Sequence, residues 1–367
     1  MIWNEEKIFF NSEELFDQFI KDCQNAKSSI WIEVFSLENG QLLQKLLPVL
    51  NEASEKRKVD VRIIVDGIGS LDTKKSKILE DNLYIKYRVH NPFFLSKIFL
   101  VNKRDHRKLF IIDQSIAYVG SANIDDKSYF WRESTVRLKG MGVSFLVESF
   151  YRSWIRVDKA GKSLLEKLTQ KTKRFISFPF RFKRFLRNRI VLTDNAFDRI
   201  QVKKFWVSKI NHSKKRIWIT TPYFVPTALI FNALLKAAKN NIDIRILIPA
   251  KNNIDLPFMK KIERYYIETL LKNGVKVYEY LPKMIHAKVC IFDNQVILGS
   301  SNWNHRSRHS DLELDVILSK KQSTEIIVRQ FHYDCKESHL MTINNIPRLN
   351  FFQWLYYRCF HFIRYWT

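Results

Sequence analysis

The chain carries the same order of apolar and polar positions twice. In the first half, Ser29 to Leu37 (Ser-Ile-Trp-Ile-Glu-Val-Phe-Ser-Leu) is rich in β-formers and predicts a strand. Gly40 to Ala53 places Leu42, Leu43, Leu46, Leu47 and Leu50 at helical spacing. Val59 to Val65 predicts a second strand, ended by the turn residues Asp66-Gly67-Ile68-Gly69. A helix near Lys74–Asp81 and a strand near Leu83–Arg88 follow. Lys108 to Asp113 and Ile116 to Val119 then predict a strand pair about Gln114-Ser115. Upstream, Asn11-Ser12-Glu13-Glu14 predicts a capped helix start that buries Leu15, Phe16, Phe19 and Ile20. The second half repeats the order: strand Arg216 to Thr221, helix Thr227 to Lys239, strand Ile242 to Ile248, helix Leu256 to Lys272, strand Val275 to Tyr280. Val61-Arg62-Ile63-Ile64-Val65 against Ile244-Arg245-Ile246-Leu247-Ile248 is the clearest matching pair. Alternating strands and helices predict an α/β fold in which each half is a sheet flanked by helices.

Both halves then carry one polar constellation. His106-Arg107-Lys108 is followed by Asp113 and by Gly120-Ser121-Ala122-Asn123; His286-Ala287-Lys288 is followed by Asp293 and by Gly299-Ser300-Ser301-Asn302. The spacing is H-x-K-x4-D in each, and Glu133 and Glu313 each follow their histidine by 27 places. Residues two apart on a strand share a face, so each His-Lys pair is expected to point one way. A single H-x-K carries no information; two copies with the same trailing pattern do. One asymmetry stands out: the second copy has Arg306-Ser307 where the first has Lys127-Ser128, preceded by Asp126. His305 and His309 are expected at the surface, and His90, before Asn91-Pro92, in a loop.

The doubled H-x-K-x4-D with G-S-x-N resembles the signature of the phospholipase D superfamily. The wording of Ile32-Glu33-Val34-Phe35, Thr221-Pro222-Tyr223-Phe224-Val225-Pro226 and Gly299 to Ser307 is most similar to the bacterial cardiolipin synthases, in the form without N-terminal membrane helices. The resemblance covers roughly residues 5–335. It implies two phospholipase D-like repeats, each a mixed β-sheet flanked by helices, related by a pseudo-twofold around one shared active site. The first repeat is expected at 1–157 and the second at 196–340. A basic and aromatic connecting segment is expected at 158–195, and a C-terminal segment of similar composition at 341–367.

A phosphodiester repels nucleophiles with its charge and leaves behind a poor alkoxide. One neutral and one protonated histidine can supply the nucleophile and the leaving-group proton. Attack by histidine splits the displacement into two steps through a phosphohistidine. Two lysines with side-chain amides can hold the non-bridging oxygens. The resemblance implies His106 as nucleophile and His286 as general acid and then base, with the reverse order open. It implies Lys108, Lys288, Asn123 and Asn302 on phosphate, with hydroxyl contacts from Ser121 and Ser300. Glu133 and Glu313 would each orient a histidine, while Asp113 and Asp293 would support the loop after the strand. No metal or other cofactor is expected.

The formal charge of +25, from 62 Lys and Arg against 37 Asp and Glu, points to a polyanionic partner, either nucleic acid or an anionic membrane. Lys171 to Arg189 interleaves Phe175, Phe178, Phe180, Phe182 and Phe185 with basic residues. Arg348 to Thr367 is similar, with Trp354, Tyr356, Tyr357, Phe360 and Trp366 among arginines. Both suit a membrane interface, and aromatic residues among basic ones also serve single-stranded nucleic acid. No run of about 18 uncharged apolar residues occurs, and the start lacks the look of a signal peptide. Peripheral attachment to the cytoplasmic face of the cell membrane is therefore expected. Cys23, Cys290, Cys335 and Cys359 form no C-x-x-C pair, so reduced thiols are expected rather than a disulfide framework or zinc site. The reading is phosphatidyl transfer between two phosphatidylglycerol molecules with release of glycerol. The alternatives are a hydrolytic phospholipase D and a metal-independent nuclease of the same superfamily. No obligate protein partner is inferred.

Overall fold

The computed structural model describes residues 2–70, 79, 82–92, 103–161 and 189–345. The helix expected near Lys74–Asp81, nearly all of the basic and aromatic connecting stretch, and the aromatic C-terminal stretch lie outside the described residues.

The first repeat builds a seven-stranded sheet from β1 (Glu5–Phe9), β2 (Ser29–Val34), β3 (Asp60–Asp66), β4 (Lys86–His90), β5 (Leu109–Ile112), β6 (Ile116–Gly120) and β7 (Thr135–Lys139), in the order β1-β7-β6-β5-β2-β3-β4. Its helices are α1 (Ser12–Asn25), α2 (Gln41–Glu55), the short α3 (Asp126–Tyr129) and α4 (Val143–Gly161). β2, β3 and β4 run parallel, and β5 turns back antiparallel to β2. The second repeat contains β8 (Ile190–Leu192), β9 (Arg216–Thr220), β10 (Asp243–Pro249), β11 (Lys276–Tyr280), β12 (Val289–Phe292), β13 (Gln295–Gly299), β14 (Leu314–Ile317) and β15 (Ser338–Leu340). Their order is β15-β11-β10-β9-β12-β13-β14-β8, with β9, β10 and β11 parallel. Its helices are α5 (Ala196–His212), α6 (Ala228–Lys239), α7 (Phe258–Lys272), the short α8 (His305–His309) and α9 (Lys321–Lys336). Residues 190–192, expected in the connecting segment, instead pair with β14 as the edge strand of the second sheet. That edge would otherwise leave a row of backbone groups unpaired.

Local chemistry explains the framework. The Asn11 side chain caps α1 by accepting from the Glu14 N–H at 2.8 Å. Leu15, Phe16 and Phe19 are buried, whereas Ile20 is only partly so. Ile30, Ile32 and Val34 face the helices on the outer side of the sheet, while Trp31 faces the other way, into a core that both repeats share. In that shared core Trp31 stacks on Phe150 of α4 at 5.1 Å, and Trp218 stacks on Phe331 of α9 at 5.0 Å. Each stack contributes about 1 kcal/mol beyond the area it buries. Each indole N–H is satisfied by an acid at the start of the next strand, Asp60 at 3.1 Å and Asp243 at 2.8 Å. The repetition of this unit follows the pseudo-twofold.

Asp113 and Asp293 close the far ends of β5 and β12. Both adopt left-handed backbone (φ 51° each) in tight hairpin turns. The Asp113 carboxylate accepts from the backbone N–H groups of Lys27, Ser28 and Ser29, and Asp293 accepts from those of Lys214, Lys215 and Arg216. Each thereby pins the start of the antiparallel neighbour, β2 or β9. Burial acts to raise both carboxyls, and these N–H donors outweigh it, so both titrate below the ordinary range.

Candidate active site

The H-x-K residues do not lie on the strands. β5 begins at Leu109 and β12 at Val289, each one residue past its lysine. The preceding residues are held by the opposite repeat. The His106 N–H donates to the Leu312 carbonyl (3.0 Å) and the Leu312 N–H to that of Arg104 (2.8 Å). Reciprocally, the His286 and Ala287 N–H groups donate to the Arg132 carbonyl (2.9 and 3.0 Å), and the Arg132 N–H to that of Met284 (2.8 Å). Leu312 and Arg132 each directly precede their repeat's glutamate, so this pairing carries each glutamate to the other repeat's histidine.

His106 Nδ1 lies 3.2 Å from both Glu313 carboxylate oxygens and 3.0 Å from the Ser300 carbonyl; His286 Nδ1 lies 2.8 Å from Glu133 Oε1. Only acceptors face Nδ1, so it carries the proton in both neutral rings and Nε2 keeps its lone pair. Phe35 packs edge-on to His106 at 5.2 Å and Trp131 tilts over His286 at 5.1 Å.

Lys108 and Lys288 are 2% and 3% exposed. Each donates back to its own histidine's carbonyl at 2.7 Å, leaving further N–H donors for an anion. Burial lowers Lys108 to about 8 against the upward pull of Glu313 and Glu133. Lys288 falls to about 7, since burial and Lys108 together outweigh Glu133. A site that strips two ammoniums of water attracts a charge to replace it.

The two glutamates differ. Burial raises both, but at Glu133 the adjacent His286 and Lys288 prevail and hold it below the ordinary range. Glu313 remains above that range despite Lys108 and the hydroxyls of Ser300 and Ser307, each 2.5 Å from it. Burial followed by Lys108 and Lys288 pushes His106 well below its ordinary value. His286 is also lowered by burial, but Glu133 resists the change.

Asn123 and Asn302 are buried near the turn after β6 and β13. Asn123 Oδ1 accepts from the Ser36 N–H at 3.4 Å, while Asn302 Oδ1 is buried without a hydrogen-bond partner among the described residues. The glycines before them allow close strand approach, because a Cβ at Gly120 or Gly299 would overlap the backbone of β7 or β14 or the residue before it. The serine hydroxyls, expected on phosphate, are hydrogen-bonded to the framework in this structure. Ser121 Oγ donates to the Ser134 carbonyl (3.2 Å) and accepts its N–H (2.9 Å); Ser300 Oγ donates to Glu313 and accepts the Leu314 N–H (3.0 Å). His305 is buried and stacked on His309, and His90 ends β4 rather than lying in a loop.

Two supports have no signal in the motifs. Thr193 Oγ1 accepts the Glu313 N–H at 2.7 Å and donates to the Asp311 carbonyl at 3.1 Å. Arg107, fully buried, ties the first motif to Asp194 (2.5 Å) and Ser153 (2.9 Å), where the second motif has Ala287 in the apolar core. Among the described residues no three His, Cys, Asp or Glu side chains are grouped to hold a metal ion, and no helix is long and apolar enough to cross a membrane.

A family model described as "Cardiolipin synthase, PLD-like domain" matches residues 19–154 and again 206–335. The chain belongs to the phospholipase D-like family of cardiolipin synthases. It is 30% identical over 353 residues to a cardiolipin synthase of Listeria monocytogenes serotype 4a, covering 92% of this chain and 70% of the relative. A cardiolipin synthase of Clostridium perfringens is 27% identical over 354 residues, covering 94% and 73%. Among solved structures, phosphatidylserine synthase of Haemophilus influenzae superposes with a TM-score of 0.71 at 14% identity, covering 98% of this chain and 92% of that one. Polyphosphate kinase of Porphyromonas gingivalis gives 0.61 at 11% identity, covering 100% and 54%. At these identities the structures establish the fold.

Proposed function

We propose that this chain is a phosphatidyltransferase that joins two phosphatidylglycerol molecules into cardiolipin and releases glycerol. The reading rests on two histidines, each backed by the other repeat's glutamate and flanked by a buried lysine, in a chain whose relatives are cardiolipin synthases. Neutral His106 attacks phosphorus through Nε2 while Lys108, Lys288 and the amides of Asn123 and Asn302 hold the non-bridging oxygens. The P–O bond to glycerol breaks and His286 gives that oxygen its proton. The terminal hydroxyl of a second phosphatidylglycerol then loses its proton to His286 and attacks phosphorus. The P–N bond breaks and His106 is restored. The assignment of His106 as nucleophile follows its stronger depression, which keeps it unprotonated, and the Glu133 carboxylate that favours a proton on His286. The substrate places the enzyme at a membrane surface, where its positive charge is drawn to anionic lipid.

Incubating purified protein with phosphatidylglycerol vesicles is expected to yield cardiolipin and free glycerol. Phosphatidic acid alone would show a hydrolytic phospholipase D, and cleavage of DNA or RNA without any lipid product would show a nuclease.

The pH profile of kcat/KM, which reports the free enzyme, is expected to be bell-shaped. Its acid limb lies below 6.5, because His106 must lose a proton that burial already disfavours. Its alkaline limb lies at or below about 8, where His286, Lys288 and Lys108 have given up theirs, rather than near the 10.5 of an ordinary lysine. In kcat the alkaline limb moves upward, since bound phosphodiester favours every one of those protons. A kcat/KM that stays level through pH 9 would contradict these assignments.

A further inference from the structure

The two histidines also differ in neighbours other than their glutamates. Counted from the Asn of each G-S-x-N, Lys127 matches Arg306; counted back from each repeat's glutamate, Trp131 matches Asp311, both lying two residues before it. On the His106 side the arginine is engaged: Arg306 Nη2 lies 3.3 Å from Asp311 Oδ1. On the His286 side the acid is replaced by an indole. Trp131 lies 5.1 Å from the His286 ring, and Lys127 Nζ lies 5.8 Å from Trp131. Lys127 is exposed and forms no ion pair with any described carboxylate. Its neighbour Asp126 is turned to α2, accepting the Gln41 and Leu42 N–H groups at 2.8 and 3.2 Å. Phe130, 73% exposed, stands beside it. A solvated cation therefore stands over the indole that packs against the proton-transferring histidine, whereas the equivalent cation of the other repeat is paired with an acid.

We propose that Lys127, above Trp131, forms the subsite for the phosphodiester of the acceptor lipid. The inference rests on the phosphatidyl-transfer reading and names what distinguishes the second substrate. An acceptor hydroxyl must reach His286 Nε2. In phosphatidylglycerol the phosphorus lies one glycerol away from that hydroxyl, about 6 Å in an extended conformation. Lys127 Nζ stands no more than about 11 Å from the centre of the His286 ring, the sum of its distance to Trp131 and that of Trp131 to His286, so the phosphate of an acceptor whose hydroxyl is at His286 comes within reach of the ammonium. Water and free glycerol carry no such phosphate and gain nothing from Lys127. Trp131, tilted against His286 at 5.1 Å, narrows the approach of water to it. The exposed Phe130 ring gives the lipid an apolar surface beside its headgroup.

The test is a partition ratio. Cardiolipin and phosphatidic acid both form from one phosphatidyl-histidine, so their ratio does not depend on how much of a variant is folded. With phosphatidylglycerol vesicles, Lys127→Gln is expected to lower the cardiolipin-to-phosphatidic-acid ratio about tenfold, the value of one charge-assisted contact. Lys127→Arg is expected to restore it. Cardiolipin formed by the wild type together with an unchanged ratio in Lys127→Gln would overturn the subsite and leave the transferase intact. A wild type that forms no cardiolipin would overturn both.

Discussion

His106→Ala is expected to lower cardiolipin formation by at least about 10⁴-fold, the scale on which removing a nucleophile acts when the rest of the site remains. The lysines and both glutamates stay in place, so substrate binding survives while the covalent step is lost. Labelled phosphatidylglycerol provides a direct reading. Wild type quenched during turnover should carry acid-labile, base-stable label, as expected of a phosphorus–nitrogen bond, and His106→Ala should carry none. His286→Ala should still acquire label, slowly, because its missing proton impairs departure of glycerol without removing the attacking nitrogen. The opposite pattern, with label on His106→Ala and none on His286→Ala, would exchange the two roles. The structure gives each outcome a cause. Both histidines present Nε2 and differ in charge environment: His106 is pushed furthest towards its neutral form, whereas His286 is supported by an ionised Glu133.

Glu133→Gln is expected to reduce kcat by about 10²–10⁴-fold, as loss of a histidine-orienting carboxylate does elsewhere. The effect crosses the repeats, because Glu133 follows the first motif in the chain yet bonds the histidine of the second. Gln keeps the length of the side chain and its acceptor but removes the charge that supports the imidazolium. Glu133 also pulls Lys288 upward, so its neutralisation should lower both groups and move the alkaline limb of the pH profile further down. Measuring kcat against pH separates this from general damage, since an unfolding variant loses amplitude without moving the limb. A Glu133→Gln enzyme within threefold of wild type, with an unshifted profile, would remove Glu133 from the proton path.

Several elements were legible because they rest on local rules. Asn11 caps α1 as its residue type predicts, and the Leu run from Leu42 to Leu50 buries the face expected of α2. The strands at 60–66 and 243–249 follow from their β-branched runs. Others escaped the pattern. β1, β8 and β15 are short edge strands whose pairing partners lie far away in the chain. His106 and His286 read as strand residues, yet their backbones bond to Leu312 and Arg132, contacts that no local period encodes.

The sequence by itself determined the doubled α/β framework and the two His-Lys pairs, because periodicity and motif spacing act over a few residues. The identity of each histidine's glutamate, the framework hydrogen bonds of Ser121 and Ser300, and the support from Thr193 were decided only by tertiary structure. So was the packing of Trp131 against His286. The glutamate and Thr193 contacts depend on how segments well over 100 residues apart in the chain meet, and all of them on which side chains are deprived of water there. A motif states which groups are available; burial and pairing across the pseudo-twofold set their charge and direction.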